Sequence, residues 1–358
     1  MSDLLLAATR KGLFVLERRS GEWTICHDAF LGDPVSLAVQ DPRSGRLYAA
    51  LKLGHFGVKL HMSDDGGATW RETGCPAFPK TEEEGAPSVL EIWALEFGEA
   101  AGSIWAGTIG GGLFRSEDAG ESWSLVEALW NHPERKKWFG GGNEAPAIHS
   151  ICLDPRNPRH VTLAVSCGGV WQSEDDGASW RPTSKGMYAE FMPPERREDP
   201  AIQDPHCLAQ CRAKPDCFWI QHHNGVFRST DGAETWQEVT AIRPSKFGFP
   251  VAVHPANPDR AWFVPAAKDE CRIPVEGALV VARTSDGGRS FDILRDGLPQ
   301  KNAYDLVLRH SLAIDDAGAW LACGSTSGHL WLSGDQGDRW HLAAGHLPPI
   351  YALRFAHL

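Results

Sequence analysis

The chain has 358 residues, more than one ordinary domain, with 42% hydrophobic and 23% charged residues, a globular mix. Its formal net charge of -11 leaves no basic surplus to neutralise phosphates, which argues against nucleic acid or an anionic membrane as partner. No apolar run approaches the roughly 18 residues of a membrane helix; the start, MSDLLLAATRKG, is too short in apolar residues for an export signal, and nine cysteines then predict a cytoplasmic protein with free thiols.

In chain order, the sequence opens on two short runs, DLLLAAT and GLFVLER, closed by Trp23. An apolar run at 35–41 leads to the octet SDDGGATW at 63–70. The pattern then recurs. Runs at 89–97, 147–153, 204–211, 248–254 and 303–309 are followed by SEDAGESW (116–123), SEDDGASW (173–180), STDGAETW (229–236), TSDGGRSF (284–291) and SGDQGDRW (333–340). A last run, PIYALRFAHL at 349–358, has no octet after it. A fixed period of this kind decides the fold before any single element does. The anchors Trp23, Trp70, Trp123, Trp180, Trp236, Phe291 and Trp340 stand 47 to 57 residues apart, room for four short strands and their loops. The intervening runs are alternating or wholly apolar, rich in β-branched and aromatic residues and broken by Gly, Pro, Asn and Asp; none holds a 3.6 period.

These intervals predict an all-β chain forming a single seven-bladed β-propeller of four-stranded antiparallel blades. The first copy has lost its octet but keeps the entry, with Phe14 nine positions before Trp23 as Phe114 is before Trp123. The chain thus begins with second and third strands and ends with an orphan first strand. The closing blade is 1–34 plus 349–358; the others are about 35–88, 89–146, 147–203, 204–247, 248–302 and 303–348. The octets read as structure: the Asp accepts backbone N–H bonds in a tight turn, the Gly takes positive φ, and the Trp covers the seam between blades.

The octets resemble the BNR or Asp-box repeats of bacterial sialidases and sortilin-type receptors, over the whole chain. As a stand-alone chain it is similar to bacterial proteins labelled sialidase-like or glycosyl hydrolase-like. That resemblance implies a propeller, and function sits in sites grafted on it. The sialidase pattern itself departs: its family has six blades and an Arg-Ile-Pro near the start, whereas the triplet here is Arg272-Ile273-Pro274. A Tyr-Glu nucleophile pair would have to come from Tyr48, Tyr188, Tyr304 or Tyr351.

The loops joining blades, and strand two to strand three, leave from the face opposite the octets. Counting back from the Asp-Pro or Asn-Pro exits of the first strands aligns His149 with Ser36, Glu91, His206, Phe249, Asp305 and Tyr351, a polar ring at the channel mouth. The long segments 124–146, 181–203 and 265–277 belong to the same face. Further candidates there are His55, His222, His223, Asn224, Lys268, Asp269, Glu270, Arg272 and Tyr304. Three readings follow. One is a site for a small molecule, carbohydrate or protein, with no cofactor specified. Another is a glycoside hydrolase using Glu91, Asp305, Asp269 or Glu270 as acid and base. The third is a metal-dependent enzyme on His149 and His206.

Overall fold

β-branched and aromatic side chains suit a pleated surface, and each run in this chain stops at a turn residue. The computed structural model describes residues 3–80, 85–142 and 144–357. Among these the chain is all-β, with short 3-10 turns and one α-helical turn at Glu127–Trp130. Five antiparallel sheets have four strands each and a sixth has eight. Most are meanders in chain order, as in Val35–Gln40, Leu47–Lys52, Val58–Ser63 and Arg71–Thr73. The eight-stranded sheet is two meanders touching at one pair, Ala147 with Ile109.

One sheet departs from chain order. Ile350–Ala356 pairs with Leu4–Thr9, which also pairs with Gly12–Arg19, from Leu4 opposite Ala356 to Thr9 opposite Ile350. Ile350, Ala352 and Leu353 are buried there. The first strands of the meanders converge on a cavity of about 360 Å³, lined among others by Val39, Glu96, Ile151, Leu208, Val253, Ala313 and Arg354. Between sheets the packing is aromatic: Trp105, Trp219 and Trp262, all on second strands, are fully buried. Burying a large apolar side chain is worth about 1.5–3 kcal/mol, so these rows outweigh any hairpin turn in holding the sheets together.

The octets fold as tight turns whose polar atoms are spent internally. In SEDAGESW, Ser116 Oγ donates to Asp118 Oδ1 (2.8 Å) and accepts from Gly120 N (2.8 Å). Asp118 also accepts from Ser122 N (2.8 Å) and Ser122 Oγ (2.6 Å). The same bonds recur at Asp65, Asp175, Asp231 and Asp286; at Asp335 the hydroxyl is missing because Arg339 replaces it. The Trp123 indole donates back to Gly74 O (3.1 Å) and the Trp236 indole to Thr183 O (2.8 Å), tying these two octets to the preceding unit.

The expected strand at 303–309 is not formed. That segment is irregular, and the first strand of its sheet is the three-residue Leu312–Ile314.

Candidate functional site

Six first strands share one irregularity near their start. The ladder skips Ser36, Trp93, His149, His206, the Phe249-Pro250 pair and Tyr351. A bulge leaves the extra residue unpaired and re-aims its side chain, here at the channel mouth. In the sheet of Leu312–Ile314, the Asp315 N–H bonds Trp320 O as the Asp41 N–H bonds Arg46 O, which puts His310 in the place of Ser36. The ring is therefore Ser36, Trp93, His149, His206, Phe249, His310 and Tyr351. Glu91 lies two residues ahead of its ring position. Asp305 is outside the ring altogether: its carboxylate is buried against Ser325 Oγ (2.7 Å) in the irregular segment.

Two cavities open at this mouth, sharing Trp93 and Arg309 as a wall. The larger, about 790 Å³, is lined by Ser36, Phe56, Trp93, His310 and Tyr351, with Arg10, Lys52 and Arg309 against Asp33 and Glu91. Three cations thus face two carboxylates in a chain that is acidic as a whole. Lys52 Nζ pairs with Glu91 at 3.0 Å. Burial nonetheless pushes the Glu91 carboxyl up, with the ammonium opposing it. The smaller cavity, about 340 Å³, is lined by Trp93, Phe139, Phe191, Phe249, Asp204, His206, His223, Asp269, Arg272 and Arg309.

Arg309 is the hinge of the arrangement. Its guanidinium stacks 4.8 Å from the Trp93 ring and 5.3 Å from the Phe249 ring. Among the described residues no carboxylate forms an ion pair with it, and its buried Nε has no hydrogen-bond partner. Arg272 stacks on Phe249 as well (5.4 Å) but is bonded to Asp269. Beside them sits Asp204, with His206 Nε2 and His223 Nδ1 each 3.5 Å from its Oδ2. Burial works against the Asp204 charge, but the polar and cationic groups around it outweigh that and hold the carboxyl well below the ordinary range. His223 is raised by the same carboxylate.

The remaining candidates divide as follows. Tyr351 lines the larger cavity, and Asp269 and Arg272 line the smaller. His149 is buried with both ring nitrogens engaged, by Ser150 Oγ (2.8 Å) and Pro205 O (2.8 Å). It therefore has no nitrogen for a metal, which corrects the pairing of His149 with His206; the residues that meet His206 are Asp204 and His223. His222 is buried, each ring nitrogen 3.1 Å from a backbone amide, those of Asp204 and Asn224, and the neutral ring accepts from one of them. Asn224 in turn holds the Glu190 N–H (2.9 Å) and so fastens the 181–203 segment. His55 and Tyr304 are exposed and line neither cavity, and Lys268 and Glu270 pair only with each other on the surface. Sequence reasoning missed Trp93, Arg309 and Asp204; Asp204-Pro205-His206 was visible as a cluster, and the other two depended on strand register.

No protein-family model matches the chain, and no curated protein matches it. Solved structures do. It is similar to a GH74 xyloglucanase from Xanthomonas campestris (TM-score 0.66, 17% identity, 96% of this chain, 53% of that one), so it spans about half that enzyme's length. It is also similar to a putative 6-phosphogluconolactonase from Bacteroides fragilis (0.60, 14%, 99% and 98%) and to YCF48 from Cyanidioschyzon merolae (0.55, 13%, 87% and 84%). At these identities the likeness is one of fold, and that fold is the β-propeller.

Proposed function

We propose that this chain is a seven-bladed propeller, closed by its own C-terminal strand, that binds a small polar ligand carrying an anionic group at the channel mouth. The blade count is supported by five four-stranded sheets plus an eight-stranded one that reads as two blades, and closure by the pairing of Ile350–Ala356 with Leu4–Thr9. A reducing compartment suits nine cysteines that are all free.

The observation that carries the binding reading is Arg309. A guanidinium gripped between two aromatic rings, in an ion pair with no carboxylate among the described residues and facing two cavities, is fixed in place for an incoming carboxylate or phosphate. Trp93, Tyr351 and Phe56 give the larger cavity flat apolar walls of the kind a sugar ring covers. An acidic or phosphorylated saccharide fits both features.

Calorimetric titration with glucose, glucuronate and glucose 6-phosphate tests this. The anionic sugars should bind and glucose should not. Arg309→Met should weaken them by roughly 10- to 100-fold, the worth of a charge-assisted hydrogen bond. Equal binding of glucose, or an unchanged Arg309→Met with native circular dichroism, would overturn the reading.

One observation favours a hydrolytic use of the same cavity. Glu91 is a carboxyl with raised proton affinity, and a second carboxylate, Asp33, lines the same cavity. Turnover of an aryl glycoside that is abolished in Glu91→Gln would establish it; a glycoside panel without turnover would leave the binding function alone.

A further inference from the structure

The cluster beside Arg309 has a use that anion binding does not require. His206 occupies the bulge of its strand, and its Nδ1 lies 2.7 Å from the Gly248 carbonyl. A carbonyl only accepts, so Nδ1 carries the proton and Nε2 of the neutral ring presents a lone pair. That lone pair faces Asp204 Oδ2 at 3.5 Å. The other carboxylate oxygen, Oδ1, is already held by Ser166 Oγ (3.1 Å) and the Cys167 N–H (3.1 Å). His223 brings Nδ1 to the same Oδ2 at 3.5 Å, while its Nε2 lies 3.9 Å from Asp269.

Two features separate this from an ordinary buried hydrogen-bond network. First, 3.5 Å is longer than the 2.7–3.2 Å of a normal N–H···O bond. It is close to the edge of a tetrahedron with bonds of about 2.1 Å, roughly 3.4 Å, which is the ligand-to-ligand spacing of a zinc or iron site. Second, two of the donors are oriented from behind, His206 by a backbone carbonyl and Asp204 by a hydroxyl and an amide. Such partners are what fix the tautomer and aim of metal-ligating side chains. One ligand atom from each of the three residues lies within 4.8 Å of the others. They line the smaller cavity, so one side stays open to an exogenous ligand.

We infer that Asp204, His206 and His223 form a site for one divalent ion of the zinc or iron(II) class, bound by His206 Nε2, His223 Nδ1 and Asp204 Oδ2 with at least one position open. Two imidazoles and one carboxylate with open positions suit those ions and not calcium or magnesium, which take oxygen cages. Arg272 and Arg309 stand nearby, but Asp269 bonds Arg272, so the lining carries two carboxylates against two guanidinium groups before an ion enters. The inference goes beyond the anion reading and stands whether or not a ligand binds Arg309.

The test uses the full chain stripped with a chelator and titrated with Co²⁺ as the spectroscopic probe, then with Zn²⁺ in competition. Expected is one equivalent of Co²⁺ giving weak visible bands of nitrogen and oxygen ligands, displaced by Zn²⁺. His206→Ala and His223→Gln should each weaken binding at least 10-fold, and His357→Ala should not. His223 is only partly buried, so His223→Gln keeps the test meaningful should His206→Ala fail to fold. No stoichiometric Co²⁺ uptake, uptake unchanged in both variants, or the intense near-ultraviolet band of thiolate ligation would overturn the site. The simpler alternative, a proton shared between His223 and Asp204, gives the first of these outcomes.

Discussion

Leu353→Ala measures whether the C-terminal strand is part of the fold. Leu353 is fully buried, sits opposite Ala7, and packs in a cluster with Leu5, Leu16, Ala322 and Leu330. Truncation removes three carbons, about 2.4 kcal/mol of transfer free energy at ~0.8 per carbon. A residual cavity adds about 1–2 kcal/mol at ~24 cal/mol per Å³, since the surrounding strands are pinned by ladder bonds and collapse little. The expected loss is about 3.5–4.5 kcal/mol. Leu342→Ala is the control, because Leu342 is 55% exposed and on an outer strand; its cost should stay under about 1 kcal/mol. Urea unfolding followed by tryptophan fluorescence gives both numbers from the shift in midpoint at constant m. If the two variants cost the same, Ile350–Ala356 is a loosely attached tail and the ring is not closed there. A deletion of 349–358 then separates the cases further: closure predicts loss of cooperative unfolding, and a tail predicts no change.

The octets predict two more outcomes. Ser173→Ala removes the acceptor of the buried Gly177 N–H (2.8 Å) and should cost about 1–3 kcal/mol by the same assay, the penalty of an unsatisfied buried donor; a cost near zero would show that the turn does not depend on its hydroxyl. Hydrogen bonds from Thr69 hold Asp65 down to about 2, and bonds from Ser122 hold Asp118 at about 2. Their folded values lie below the ordinary unfolded value of about 3.9, so their contribution is fully present above that value and fades as pH falls toward 2. Melting temperature should therefore be level near neutrality and drop between about pH 4 and 2, with the drop reduced in an Asp65→Asn, Asp118→Asn variant; an equal acid response in that variant would place the sensitivity elsewhere.

Much of the fold was legible because the octet is a local device. Its Ser, Asp, Gly and Ser or Thr satisfy one another within eight residues, so six copies could be recognised without knowing what they pack against. The site is the opposite case. Counting along the first strands picks out His206, Phe249, Tyr351, His149 and Ser36, and each is a residue that the ladder skips. Of the two misplaced residues, Asp305 lies in a segment that forms no strand, and Glu91 begins a strand that exits at Phe97-Gly98 with no Asp-Pro or Asn-Pro to count from. Trp93 stands two residues on from Glu91, and His310 five on from Asp305, offsets that only the ladder and the irregular course of 303–310 reveal. His149 illustrates a different limit. Its strand position is equivalent to that of His206, yet its nitrogens are consumed by Ser150 and Pro205 O, and only three-dimensional neighbours decide that.

The irregular segment 303–310 explains why the site is lopsided. In the other sheets the first strand runs six to eight residues and its ladder consumes the backbone up to the bulge. Here only Leu312–Ile314 is laddered. The preceding chain is free to leave the blade and is fastened by side chains instead, Asp305 on Ser325 and Leu306 N on Thr326 Oγ1 (3.1 Å). That freedom lets Arg309 reach between Trp93 and Phe249, on two other sheets, and divide the mouth into two cavities. A regular strand at 303–309 would place Arg309 within a ladder and leave its direction to strand alternation. The residue that the proposed ligand needs is thus available because this one sheet has a shortened first strand.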